Sequence, residues 1–169
     1  GRQNMFTLWC DWMFSMDGSG MPVFEEKRVD RLVSIAEKQG MYWFSGGPLM
    51  ARANGEWEAK TAETWVGKYP VPGNGEDILR TMCRGIFDYI KKNNLQDRWF
   101  QSLMDEPLNY SAGTWKDASK ILHEEMPGIP LMDASIARES IAGAIDVWCP
   151  TVDKYEKYAD FFSQRSLQG

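Results

Sequence analysis

Apolar residues recur along this chain in two alternating rhythms, and the alternation predicts the fold class. Short, nearly continuous apolar runs at 5–9, 41–44, 99–104, 129–132 and 145–149 read as strands buried on both faces. Between them, spacing near the helical period of about 3.6 residues predicts helices. Residues 25–39 put Val29, Leu32, Val33 and Ala36 on one face and stop at Gly40. Residues 76–93 align Leu79, Met82, Ile86 and Ile90, and 112–125 align Trp115, Ala118, Ile121 and Leu122 ahead of Pro127-Gly128. A last helix over 154–164 carries Tyr155, Ala159 and Phe162. Strand–helix alternation with apolar strands predicts a parallel sheet covered by helices.

Loop lengths add a direction. Links from a helix to the next strand are short: Gly40, residues 93–97 and Pro127-Gly128. The links that follow strands, 10–24 and 46–75, are far longer than such connections usually are. Long loops on one side only mark the carboxyl ends of the strands as the functional face, a polarity shared by barrels and doubly wound sheets. No Gly-rich phosphate-binding turn follows a strand, which leaves a (β/α)8 TIM-type barrel as the expected fold. Five strands and four helices fall short of the eight of each, in about 250 residues, that a closed barrel takes. The expectation is therefore an incomplete barrel, 1–169 forming one truncated catalytic domain. A start without Met and an end inside a helical stretch agree with a piece whose missing strands the parent chain supplies.

Composition narrows the partners. A net charge of −5 without a basic stripe argues against nucleic acid and anionic membrane surfaces. No apolar stretch is long enough to span a bilayer, and the residues themselves carry no cellular address. Cys10, Cys83 and Cys149 are far apart and odd in number, so they read as buried free thiols, not as a disulfide framework or zinc ligands. The lone His123 reads as a solvated cation in the last turn of its helix. The oddity is aromatic: eight Trp, six Tyr and eight Phe. Core packing absorbs many of them. Trp12, Phe14, Trp57 and Trp65, however, fall in segments rich in Gly, Asn and Glu, and flat apolar rings in a cleft suit the faces of sugars.

The chemistry-bearing residues are Asp105-Glu106-Pro107, which end the apolar run 99–104. One proton donor beside one charged carboxylate is the equipment of an acid-assisted hydrolase, above all a glycosidase. The plainer alternative is a strand end whose acids are solvated or cap a helix. Consecutive strand residues face opposite ways, so both acids share a pocket only where the strand is turning into a loop. Pro107 is expected to bias Glu106 towards extended geometry and to end the ladder. The pair is expected at the carboxyl end of a central parallel strand, on the face of the 46–75 loop. Three further residues are candidate substrate contacts. Asp133 reads as a sugar-hydroxyl ligand or a turn cap, Trp148 as a sugar-site floor or core residue, and Trp57 as a subsite wall or loop anchor. Asp146 reads as structural.

The segment Phe100-Gln101-Ser102-Leu103-Met104-Asp105-Glu106-Pro107, then a helix, then Ala144-Ile145-Asp146-Val147-Trp148-Cys149-Pro150, resembles the catalytic domain of glycoside hydrolase family 123. That family contains exo-acting β-N-acetylgalactosaminidases. The resemblance implies a barrel whose second to sixth strands are present here, with the acid pair after the fourth. It implies that Asp105 orients the substrate 2-acetamido group and that Glu106 is the general acid/base of a substrate-assisted, retaining reaction on a glycan or glycolipid. It implies no cofactor and no metal, and a secreted, periplasmic or cell-surface location. Two alternatives stand beside it. Many retaining barrel glycosidases carry Asn-Glu-Pro at this place, which would make Glu106 acid/base to a nucleophile outside this chain. A non-catalytic carbohydrate-binding domain would keep the loop aromatics without needing the pair.

Overall fold

A computed structural model describes residues 4–135 and 137–166. In chain order its first half runs β1 (Met5–Leu8), α1 (Cys10–Met13), β2 (Phe14–Met16), β3 (Pro22–Phe24), α2 (Glu26–Lys38), β4 (Trp43–Gly46), β5 (Met50–Arg52), β6 (Ala62–Thr64) and β7 (Pro70–Val71). The second half runs α3 (Gly75–Lys92), β8 (Trp99–Gln101), α4 (Ala112–Glu125), β9 (Met132–Ala134), β10 (Val147–Cys149), α5 (Val152–Lys157) and α6 (Ala159–Ser166).

The helices bury the faces their periodicity marks. Leu79, Met82, Ile86 and Ile90 of α3 are wholly buried, as are Trp115, Ala118 and Leu122 of α4; Val29, Val33 and Ala36 of α2 join the same core. The expected last helix is instead two, α5 and α6, parted at Tyr158. Among the described residues no helix is long and apolar enough to cross a membrane.

The strands correct the expected fold: there is no TIM-type barrel. β1, β4 and β8 form a three-stranded parallel sheet, and β9 and β10 a separate parallel pair. One parallel bridge, Gln101 to Leu131, spans the gap. The chain is a small α/β fold of several small sheets, two of them antiparallel. The ladder beyond β8 stops for a local reason. The amides of Leu103 and Met104, which a neighbouring strand's carbonyls would otherwise accept, donate to the Asp133 carboxylate at 3.2 Å.

The two long links are not plain loops either. Residues 10–24 hold α1 and the antiparallel β2–β3 pair, in which Phe14 faces Phe24 with ring centroids 5.4 Å apart. Residues 46–75 hold the antiparallel sheet β5–β6–β7. Strands of two or three residues are too short to print an alternating pattern, and the Gly and Pro around them read as loop.

Candidate active site at the carboxyl end of β8

Beyond Gln101 the chain stays extended between two neighbours. Ser102 N–H donates to the Gly46 carbonyl at 3.0 Å, and the Leu103 carbonyl accepts from the amides of Leu49 and Met50 at 3.0 and 2.8 Å. Met104 then bridges Met50 in parallel. Asp105 and Glu106 follow at once, so the pair emerges at the carboxyl end of β8 beside the sheet carried by the 46–75 link.

The turn that brings them out is not the extended one expected from Pro107. Glu106 lies at φ +49°, in the left-handed region, which costs a non-glycine residue roughly 1–3 kcal/mol. Arg52, the last residue of β5, opposes that cost by gripping the main chain. Its Nη2 donates to the Glu106 carbonyl at 2.7 Å and to the Asp105 carbonyl at 3.2 Å. The same guanidinium lies 4.1 Å over the Trp57 ring, which is 53% exposed. Arg52 Nε is buried without a partner among the described residues, which adds to the cost of holding this geometry. Asp105 is exposed and Glu106 half-buried. Among the described residues no side-chain hydrogen bond or ion pair engages either carboxylate, so both are open to a ligand.

Asp133 lies beneath the pair, not beside it. Only 2% exposed, it sits in the middle of β9 with its carboxylate enclosed by donors. Besides the two amides, Ser102 Oγ donates to Oδ1 and Trp115 Nε1 to Oδ2, the latter at 3.0 Å. Burial pushes its carboxyl up to about 7, against the pull of those donors, which favour the charged form.

The remaining candidates are distributed elsewhere. Trp148 on β10 packs edge-on against Phe161 and Phe162 of α6, at centroid distances of 5.4 and 6.0 Å, so its ring belongs to an aromatic cluster. Trp65 donates from Nε1 to Asp11 Oδ1 at 3.0 Å and ties the 46–75 link to α1. Trp12 stacks on Phe6, and Phe14 is core. His123 lies in the last turn of α4 and is more than a third exposed, as expected, but it has a partner: its Nε2 meets Asp146 Oδ2 at 2.9 Å, and Asp146 also accepts from the Leu131 amide at 2.7 Å. Cys10 and Cys83 are buried free thiols, whereas Cys149 is exposed. Among the described residues no cluster of His, Cys, Asp or Glu is placed to hold a metal ion.

The structure thus joins Asp105, Glu106 and Trp57 through Arg52, puts Asp133 below them and leaves Trp148 in its own cluster. Arg52 is the residue that sequence reasoning missed. A single arginine in a long polar link carries no motif, and its partners are main-chain atoms.

No family model matches the chain, and no curated protein does. Among solved structures, the chain is similar to a family 123 glycoside hydrolase from Clostridium perfringens, described for the details of its glycolipid glycan hydrolysis. The TM-score is 0.59 at 11% identity, over 90% of this chain and 30% of that one. A likeness of this kind is one of fold, and this chain spans less than a third of that enzyme's length. A family 10 xylanase with a bacterial Ig-like domain, from termite gut, aligns at a TM-score of 0.41 and 12% identity, over 78% of this chain and 33% of that one, too low to support an inference.

Proposed function

We propose that Asp105 and Glu106 are the working carboxylates of a retaining, exo-acting glycoside hydrolase that removes a terminal β-linked N-acetylgalactosamine or a related 2-acetamido sugar. The observation that carries this reading is the pair itself. Two consecutive acids stand at the carboxyl end of a parallel strand, turned out by a left-handed Glu106, with no partner for either carboxylate among the described residues. The likeness in fold to a glycoside hydrolase supports the reaction class.

Adjacent acids are poorly placed to work from opposite sides of a glycosidic bond, as the usual nucleophile and acid do. Substrate assistance removes that need. The acetamido carbonyl oxygen attacks the anomeric carbon, and the bond to the leaving oxygen breaks as Glu106 gives that oxygen its proton. Asp105 accepts a hydrogen bond from the acetamido N–H and stabilises the positive oxazolinium that forms. Glu106, now a carboxylate, deprotonates the water that opens the oxazolinium, and the anomeric configuration is retained overall. Trp57 offers an apolar face beside the pair for the sugar or its leaving group.

The test is a panel of chromogenic β-glycosides, with and without the 2-acetamido group, on the full-length protein. Turnover confined to 2-acetamido sugars is expected. Turnover indifferent to that group would favour Glu106 acting with a nucleophile outside this chain. No turnover of any glycoside would overturn the hydrolase reading.

A further inference from the structure

One carboxylate ties down both feet of the loop that carries the acid pair. On the incoming side, Ser102 Oγ and the amides of Leu103 and Met104, three consecutive residues ending next to Asp105, all donate to Asp133. On the outgoing side, Trp115 of α4, the helix that follows the loop, donates its Nε1–H to the same carboxylate at 3.0 Å. Residues 105–111 therefore span between two anchor points that share one group. The chain after β9 adds contacts to the loop. Ser135 Oγ lies 3.4 Å from the Pro107 carbonyl, and Ser140 Oγ donates to Asn109 Oδ1 at 2.8 Å.

Burying a carboxylate is costly, and an apolar residue of similar size would fill the same space at less cost. What the apolar residue cannot do is receive donors from a strand end and a helix at one point. At 2% exposure Asp133 is also out of reach of a sugar hydroxyl. We infer that Asp133 is a positioning residue for the acid pair: it clamps Ser102–Met104 and Trp115 together and so sets where Glu106 meets the leaving oxygen, without touching the sugar. This rests on the glycosidase reading above and assigns Asp133 to the machinery behind the site, not to the substrate.

Asp133→Asn is the direct test, because it replaces one acceptor oxygen with an NH2 that faces donors. Trp115→Phe deletes that donor, at the cost of a smaller ring in a wholly buried site, and serves should the Asn variant fold poorly. Two readouts on the full-length protein decide. Amide hydrogen exchange at Leu103 and Met104 should quicken in Asp133→Asn relative to helix α3, independently of activity. With one 2-acetamido sugar on poor and on activated leaving groups, kcat should fall by about a hundred-fold for the poor leaving group, the scale of loss that a displacement of about 1 Å brings. It should fall several-fold less for the activated one, with KM little changed. Trp115→Phe should show the same pattern, weaker.

A raised KM with kcat intact would mean that Asp133 meets the substrate, and would overturn the inference. Equal losses on both leaving groups, in step with a lowered melting temperature, would overturn it by making the role one of bulk stability. Unchanged exchange at Leu103 and Met104 would remove the clamp. A wild-type protein inactive on all glycosides would take down the hydrolase reading and this inference together, whereas an active wild type with an indifferent Asp133→Asn variant takes down this inference alone.

Discussion

Arg52 holds Glu106 by its main-chain oxygen, at 2.7 Å from Nη2, and not by its carboxylate. A cation beside an acid ordinarily pairs with it and locks it in the charged form. Here the cation donates to two backbone carbonyls, which fixes a strained turn and leaves the carboxylate without a partner among the described residues. Arg52→Met keeps an unbranched stem and deletes the grip, together with the guanidinium over Trp57. The expected cost is about 1.5–3 kcal/mol, the usual worth of a hydrogen bond from a charged donor. Urea unfolding measures it, and kcat should fall more than KM rises because the turn carrying both acids loosens.

Glu106→Gln separates acid from scaffold. Protonation matters least when the leaving group is already stable, so activated aryl glycosides should retain far more turnover than substrates with poor leaving groups. Rates on a leaving-group series give the answer. A flat series would show that Glu106 is not the general acid.

Asp105→Asn tests the acetamido chemistry. The amide keeps the shape of the side chain and removes the charge that stabilises an oxazolinium. Preorganised stabilisation of this kind is worth about 3–4 kcal/mol, so turnover should drop by about a hundred- to a thousand-fold. A thiazoline mimic of the cyclised intermediate should inhibit the wild type strongly and the variant weakly. Near-normal turnover of the variant would count for the Asn-Glu-Pro type of glycosidase instead.

Gly46 is a packing requirement. A Cβ built there would lie 2.0 Å from Gln101 Oε1. Gln101 is wholly buried, and its Nε2 donates to the carbonyls of Gly47 and Ser102 at 2.9 and 2.8 Å. Gly46→Ala must push that amide aside just below the acid pair, at a cost of roughly 1–3 kcal/mol by the usual scale for overpacking. Chemical denaturation should recover part of the loss in the Gly46→Ala/Gln101→Ala double variant.

The His123–Asp146 pair sets a pH window. Its bond to Asp146 raises His123 above its ordinary 6.5. Burial alone would raise Asp146, but the His123 bond and the Leu131 amide outweigh it and hold that carboxyl below its ordinary 3.8. The histidine's contribution is therefore complete below about pH 6.5 and is lost as pH rises through its raised value. The aspartate's is complete above about pH 3.8 and is lost as pH falls through its lowered value. Both side chains are more than a third exposed, at 39% and 46%, so solvent screening holds the total to about 1 kcal/mol or less. Urea unfolding of wild type and His123→Gln should differ at pH 5.5 and converge as pH rises through the raised value of His123.

Helices with several turns of clean periodicity were legible from residues alone. Helix α4 occupies the predicted 112–125, and α3 lies one residue from its predicted span, because each repeats a buried face often enough for the pattern to stand out. The place of Asp105-Glu106-Pro107 just past the carboxyl end of a parallel strand was legible too, since the motif directly follows the apolar run 99–104. Tertiary structure alone decided how the strands are grouped, because whether β8 continues into β9 depends on where Asp133 sends its carboxylate. It also decided the conformation of Glu106. Local sterics before a proline favour extended backbone, and Arg52, 54 residues away, holds the left-handed turn instead. Asp133 and Trp148 share the same lesson. In sequence each reads as the end of a short apolar strand, a place that suits a substrate contact, yet each sits mid-strand, one enclosed by four donor groups and the other packed against aromatic rings. Residue type specifies what a side chain is able to do, and only packing against distant segments determines which way it points and what is left to meet it.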